Sequence, residues 1–178
     1  MRAAPRLETT RLVLRPFRAD DVDAQAAMMA DGEVMRHLGG QPIAREDAWR
    51  KLLCGAGLWG LFGYGYWAVE RRSDGAMIGQ VGFADFKRDM EPSIEGLPEA
   101  GWVLGRDGFG QGYATEAVQA ALAWADETLA APETVAIINS DNAPSIRVAE
   151  KCGFGAPEQA TYKSEPILLF RRRISAGR

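Results

Sequence analysis

The chain holds one histidine, His37, and two cysteines, Cys54 and Cys152, in 178 residues. So sparse a set leaves no evident Cys-His or Ser-His-Asp arrangement, and the two cysteines follow no metal-ligand spacing. They are expected as reduced thiols, neither of them a nucleophile, and His37 as a solvated or capping residue. Long apolar runs are missing too. No stretch of eighteen apolar residues could cross a bilayer, and Met1-Arg2-Ala3-Ala4-Pro5-Arg6 leads into a strand pattern instead of a signal-peptide core. A cytoplasmic protein with no membrane partner and no metal is therefore expected. Charge of one sign is equally scarce: a net charge of −3 argues against general affinity for nucleic acid, despite Arg171-Arg172-Arg173 near the end. No repeat, low-complexity tract or linker interrupts the sequence. Its length and 47% hydrophobic content suit a single domain over 1–178.

Glycine, in contrast, is placed with purpose. Gly108-Phe109-Gly110-Gln111-Gly112-Tyr113-Ala114-Thr115-Glu116 follows a strand pattern at Ala100 to Leu104 and runs straight into a helix. That helix is marked by Ala114, Ala117, Val118, Ala121, Leu122, Ala125 and Leu129 at helical spacing. Glycine lets the backbone approach a ligand closely, and the first amides of a helix lack intrahelical acceptors at the positive end of its dipole. A phosphate-bearing cofactor at the amides of Gly110 to Thr115 is the expectation. It is not a Walker loop, because Tyr113 and Ala114 follow Gly112 where Lys and Ser or Thr are needed. A dinucleotide fingerprint also fits poorly, with Thr115 at the third glycine position.

A second constellation is Asn142-Ala143-Pro144-Ser145 with Lys151-Cys152-Gly153-Phe154. Val135 to Ile138 reads as a short buried strand, Asn142 as an N-cap and Pro144 as a first-turn residue. Gly153 then closes the helix in a left-handed conformation, with Phe154 folding back on Ala149. Elsewhere the pattern predicts a strand near Leu12 to Phe17, helices to about Ala30 and over 45–53, and strands at 65–70, 76–85 and 99–104. A final hairpin lies around 162–172. Antiparallel strands first and a strand-helix-strand-helix unit later give a mixed α/β fold, a mostly antiparallel sheet flanked by helices.

The glycine turn followed by Asn-x-x-Ser and Lys-x-Gly-Phe resembles the GNAT superfamily of acetyl-coenzyme A dependent N-acyltransferases. The likeness is to the branch of ribosomal-protein alanine and serine N-terminal acetyltransferases, and covers about 7–172. Thr9-Thr10-Arg11-Leu12-Val13-Leu14-Arg15-Pro16-Phe17, Gly65 to Val69, Ile78 to Phe83 and Pro166 to Phe170 fall in the family's order. One departure stands out: the superfamily carries Gln or Arg three residues before the glycine matching Gly112, and Phe109 occupies that place here. What the resemblance implies is a sheet with its central strands splayed to admit the pantetheine arm. It implies acetyl-CoA as cosubstrate, held by the backbone of Trp102, Val103 and Leu104, by Phe109, Gly110, Gln111, Gly112, Tyr113, Ala114 and Thr115, and by Asn142 and Ser145. The Ser145 hydroxyl would lie near the thioester sulfur, Glu99 would act as base through water, and Asp85 is a second candidate. Neither Glu158 nor Glu165 aligns with the carboxylate some relatives are thought to use.

With no nucleophile evident, direct attack by an amine in a ternary complex is expected instead of an acyl-enzyme. The acceptor is a protein N-terminus or a small-molecule amine. Asp85, Asp89, Glu91, Glu95 and Glu99 outnumber Lys87 and Arg88, which leans towards a cationic amine. A homodimer remains open. The other readings are a non-catalytic acyl-CoA binding module, which needs neither Ser145 nor Glu99, and more remotely a dinucleotide-dependent oxidoreductase.

Overall fold

A computed structural model describes residues 3–174. Its strands are β1 (Leu7–Glu8), β2 (Leu12–Arg15), β3 (Tyr66–Arg71), β4 (Met77–Ala84), β5 (Met90–Glu91), β6 (Glu99–Leu104), β7 (Glu133–Ile138), β8 (Glu158–Tyr162) and β9 (Glu165–Arg173). The helices are α1 (Val22–Ala30), α2 (Gly32–Met35), α3 (Arg45–Phe62), α4 (Tyr113–Thr128) and α5 (Ala143–Lys151). The strands form one sheet in the order β1-β2-β3-β4-β6-β7-β9-β8-β5, antiparallel except at β6 and β7. This is the expected mixed α/β fold. Among the described residues no helix is long and apolar enough to cross a membrane.

The parallel contact positions the site. Strands β6 and β7 share one register pair, Glu99 with Val135, backed by the Val135 amide donating to the Pro98 carbonyl at 3.1 Å. Beyond that point they diverge, so a wedge opens towards the C-terminal ends of both. Each strand then leads into a helix: β6 through the glycine turn into α4, and β7 through Asn139 to Asn142 into α5. Both helix N-termini are thereby delivered to the mouth of the wedge.

Small residues let α4 lie close to the sheet. Ala117, Ala121 and Ala125 are buried with Val118 and Leu122 on its inner face. Trp124 meets Trp67 with ring centroids 5.1 Å apart and Trp59 at 5.3 Å, while Trp59 and Trp67 cross edge to face at 4.7 Å. Aromatic edge-to-face contacts of this kind add about 0.5–1.5 kcal/mol beyond area burial. A second apolar cluster, of Met28, Met29, Val34, Met35 and Ala48, ties α1 and α2 to α3.

Four local expectations need correction. Helix α3 does not stop at Leu53 but runs to Phe62. Glycine disfavours a helix interior, and the stretch beyond Leu53 holds Gly55, Gly57 and Gly60. Packing reverses that at Gly55, where an added Cβ would meet the Phe17 ring at 3.2 Å and Tyr66 Cβ at 3.4 Å. The helix closes at Gly63, left-handed at φ 75°, with its amide on the Trp59 carbonyl. The other three are extra or longer elements: the four-residue α2, capped by Asp31 through the amides of Glu33 and Val34; the two-residue β5; and a final hairpin beginning at Glu158.

Between β2 and β3 lies a buried ion group. Arg15 donates to both oxygens of Asp21 at 2.8 Å and to Glu70 at 2.5 Å, with Arg15 and Asp21 each about 5% exposed. Burial alone would push the Asp21 carboxyl up, but Arg15 and the Arg18 amide outweigh it and hold it below the usual carboxylate range. Arg15→Met should destabilise the fold by about 3–5 kcal/mol, because two carboxylates lose their partner in the interior. Denaturant titration checks this, and a loss under about 1 kcal/mol would contradict it. Since the folded-state pKa of Asp21 is depressed, its contribution is complete above the unfolded carboxylate pKa of about 3.9 and fades as pH falls through the lower folded value.

Candidate active site

The glycine turn opens the site. Gly110 and Gly112 are both left-handed, at φ 71° and 79°. A Cβ on Gly110 would have nothing within 4 Å, and one on Gly112 would meet only Arg11 Nη2 at 3.5 Å, so neither glycine is crowded by the rest of the fold. The first α4 amide with a partner inside the turn and helix is that of Glu116, on the Gly112 carbonyl at 3.1 Å. The amides of Tyr113, Ala114 and Thr115 precede it, as at any helix start. Phe109 is 46% exposed, a large apolar group standing at the rim.

A residue that sequence reasoning left without a role braces this turn. Arg11 donates through Nη1 to the Gln111 carbonyl at 2.9 Å and through Nε to Glu116 at 2.7 Å, and its guanidinium lies 4.5 Å over the Tyr113 ring. Glu116 also accepts from the Thr9 hydroxyl at 2.6 Å and the Arg11 amide at 2.9 Å. Burial would raise the Glu116 carboxyl, but these three donors outweigh it and hold it below its usual range. The signal was present in Thr9-Thr10-Arg11, whose partner lies 105 residues away and so could not be found by spacing.

Alternation along β6 decides which amides face the wedge. The Gly105 amide bonds the Ile78 carbonyl across to β4, and Gly101 and Val103 share its parity. The Pro98 carbonyl points instead to β7, as do the backbone groups of Ala100, Trp102 and Leu104; Ala100 is taken up by the pairing at Glu99 and Val135, so Trp102 and Leu104 face the wedge. Val103, expected among the backbone contacts, turns its amide towards Gln80 and brings its side chain to the cavity wall instead. The side chain of Leu104 is buried in the core.

The wedge widens into a cavity of about 560 Å³ that brings together Glu99, Trp102, Asn142 and Ser145. No residue of the glycine turn lines it, so the turn and the cavity lie at different parts of the wedge. Asn142 caps α5, its Oδ1 accepting from the Ser145 amide at 3.2 Å, and Pro144 sits in the first turn as expected. The far end closes as expected as well, with Gly153 at φ 84° and the Phe154 amide on the Ala149 carbonyl at 3.1 Å. The Ser145 hydroxyl makes no hydrogen bond among the described residues, which leaves it able to serve something in the cavity. His37 lines the cavity with Nδ1 3.3 Å from Asp141, so it bridges the segment after α2 to the loop before α5. Cys54 is exposed on the wall, whereas burial pushes the Cys152 thiol up to about 11.

Glu99 is 5% exposed and its two oxygens accept from Arg88 at 2.6 and 2.8 Å. Burial opposes the Arg88 charge, but Glu99 more than restores it, and the guanidinium is further held over Phe86 at 4.9 Å and Tyr162 at 4.8 Å. Beside them the Tyr66 hydroxyl, raised by burial and by the Glu99 charge, stays neutral. Asp85 is not brought to the cavity. Its oxygens accept from the amides of Lys87 and Gly96 and pair with Lys87 Nζ at 2.6 Å, so it organises the loop ahead of β6. The acidic strip therefore makes no acidic cavity: Lys87 also holds Glu95 at 3.3 Å, and of the five carboxylates only Glu99 reaches the wall. Glu158 pairs with Arg171 outside it.

Comparisons with known proteins agree with this geometry. Residues 11–155 match the acetyltransferase (GNAT) domain family. The uncharacterized N-acetyltransferase YoaA of Bacillus subtilis (strain 168) is 29% identical over 167 residues, covering 90% of each chain. The crystal structure of an acetyltransferase from Agrobacterium tumefaciens str. C58 superposes with a TM-score of 0.82 at 31% identity, over 96% of this chain and 95% of that one. RimL, a ribosomal L7/L12 α-N-protein acetyltransferase in complex with coenzyme A, shares the fold at a TM-score of 0.74 and 17% identity, over 97% and 100% of the two chains. With the family match spanning most of its length, the chain belongs to the GNAT acetyltransferases.

Proposed function

We propose that this protein is an acetyl-coenzyme A dependent N-acetyltransferase that acetylates a primary amine by direct attack while both substrates are bound. The observation that carries the reading is the wedge, with open glycine amides at its mouth and Glu99, Trp102, Asn142 and Ser145 on the walls of one cavity. Coenzyme A fits the residues present. The left-handed, uncrowded Gly110 and Gly112 and the helix-start amides through Thr115 suit a pyrophosphate, and the outward backbone of Trp102 and Leu104 suits the amide-bearing arm.

Acetyl-CoA supplies an activated acetyl thioester, and the chain's own residues divide the remaining work. The Trp102 amide, left unpaired by the splay, is placed to donate to the carbonyl oxygen as charge develops there. Asn142 holds the cofactor arm while capping α5. The free hydroxyl of Ser145 donates to the departing thiolate, and Glu99 takes the amine proton through water. With Arg88 on both its oxygens, Glu99 reaches the amine only through water, which suits an amine that needs little help. The RimL structure, which holds coenzyme A in the same fold, supports the cofactor assignment.

Ser145→Ala should lower kcat by about 10-fold or more while leaving coenzyme A affinity within about 2-fold, whereas Asn142→Ala should weaken cofactor binding and cost about 1 kcal/mol of stability. Thiol release and calorimetry on both variants check this division. Wild-type kcat in Ser145→Ala would remove the hydroxyl from the mechanism.

A further inference from the structure

The cavity carries a charge that the acetyl-transfer reading does not use. Its wall holds three cations, Lys51 from α3, Arg88 from the β4–β5 loop and Lys163 from the β8–β9 turn, against one carboxylate, Glu99. Arg88 and Glu99 neutralise one another in their two-point pair. Among the described residues Lys87 alone of the lysines forms an ion pair, so Lys51 and Lys163 bring uncompensated charge to the same cavity. The Asp141 carboxylate lies nearby but faces His37.

The placement of Lys163 is costly. Lys163 and Ser164 both have positive φ, 53° and 64°, in a two-residue turn of the kind that favours Asn and Gly. Side chains held in that region store strain, which tends to persist where function needs it. Here the turn sets the lysine over the Tyr162 ring, 5.3 Å from its centroid, at the cavity wall. Neutral donors point the same way. Gln80 lines the cavity with its Oε1 engaged from behind by the buried Gln25 at 3.1 Å, which leaves its amide hydrogens for a ligand.

We infer that the acceptor is a primary amine that carries its own carboxylate, drawn towards Lys51 and Lys163 as the amine approaches Glu99 and Ser145. The inference rests on the N-acetyltransferase reading and names its substrate class. Two consequences follow from one charge distribution. Cations near the site attract a carboxylate, and they also disfavour the protonated form of the amine, so the reactive neutral amine is promoted. A polyamine, with several positive charges and no negative one, is repelled.

The test measures thiol release from acetyl-CoA by the full chain with four acceptors. These are Ala-Asp with an amidated end, Ala-Asn with an amidated end, Ala-Ala with a free carboxyl end, and spermidine. At least one carboxylate-bearing acceptor should exceed Ala-Asn amide in kcat/KM by about tenfold, mostly through KM. A preference for Ala-Asp amide identifies a side-chain carboxylate near a peptide N-terminus, and one for free Ala-Ala identifies a small amino-acid-like acceptor. The ratio should collapse towards one in Lys51→Gln/Lys163→Gln, and in about 1 M salt, where screening shortens to about 3 Å. Equal use of all three peptides, or better use of spermidine, overturns the inference and leaves acetyl transfer standing. No thiol release with any amine, while calorimetry shows coenzyme A bound, overturns the acetyl-transfer reading and this inference together.

Discussion

Gly112→Val should weaken coenzyme A binding by about 10- to 100-fold in a protein that still folds. Gly112 is left-handed at φ 79°, and a β-branched residue there stores about 1–3 kcal/mol of strain or forces the turn to a new path. Either outcome disturbs the amides that the turn presents, since Gly112 is the N-cap of α4 and its carbonyl receives the first helical bond, from Glu116. The brace on the other side is unforgiving. Arg11 holds the Gln111 carbonyl and stacks on Tyr113, so the turn has little freedom to absorb a side chain. Calorimetry with coenzyme A reads the loss, and circular dichroism confirms the fold. Unchanged affinity would mean that the phosphates bind elsewhere.

An α-amine should be acetylated about 100-fold faster than a lysine ε-amine on the same peptide at pH 7. Holding a lysine of pKa about 10.4 neutral costs about 3 kcal/mol more than holding an α-amine of pKa about 8. Glu99 cannot make up that difference while Arg88 occupies both its oxygens. For the α-amine, kcat/KM should rise with pH and level off near the amine pKa. Glu99→Gln should lose most activity at or below neutral pH and recover part of it above. A ratio of variant to wild type that stays constant across pH would show that Glu99 only positions the substrate and that bulk water takes the proton.

Much of this site could be read from the sequence because its parts are local. The glycine turn, the α4 stripe and the Asn142 cap with its Gly153 closure are each encoded within about twenty consecutive residues, where helix period and cap chemistry operate directly. Charge pairing is not local in that sense. Asp85 and Glu95 looked like part of an acidic channel, yet Lys87, which lies between them in sequence, takes both. Arg88 reaches Glu99, and the cationic side of the cavity comes from Lys51 and Lys163, more than a hundred residues apart and joined only by the fold. Helix α3 shows the same limit, since Gly55, which weakens a helix in isolation, lets it pack closely against Phe17 and Tyr66. The parity of β6 was likewise hidden: which of Trp102, Val103 and Leu104 offers an amide to the wedge depends on the bond from Gly105 to Ile78.

The central claim is acetyl transfer to an amine at the wedge. It is tested most directly by incubating the protein with acetyl-CoA and a peptide that has both a free α-amine and a lysine, then locating any added acetyl group by mass spectrometry. One acetyl group on the α-nitrogen, formed in step with thiol release and slowed by Gly112→Val at limiting acetyl-CoA, is the predicted result. Coenzyme A binding with no acetyl group on any nitrogen, across the anionic, neutral and polyamine acceptors, would contradict it.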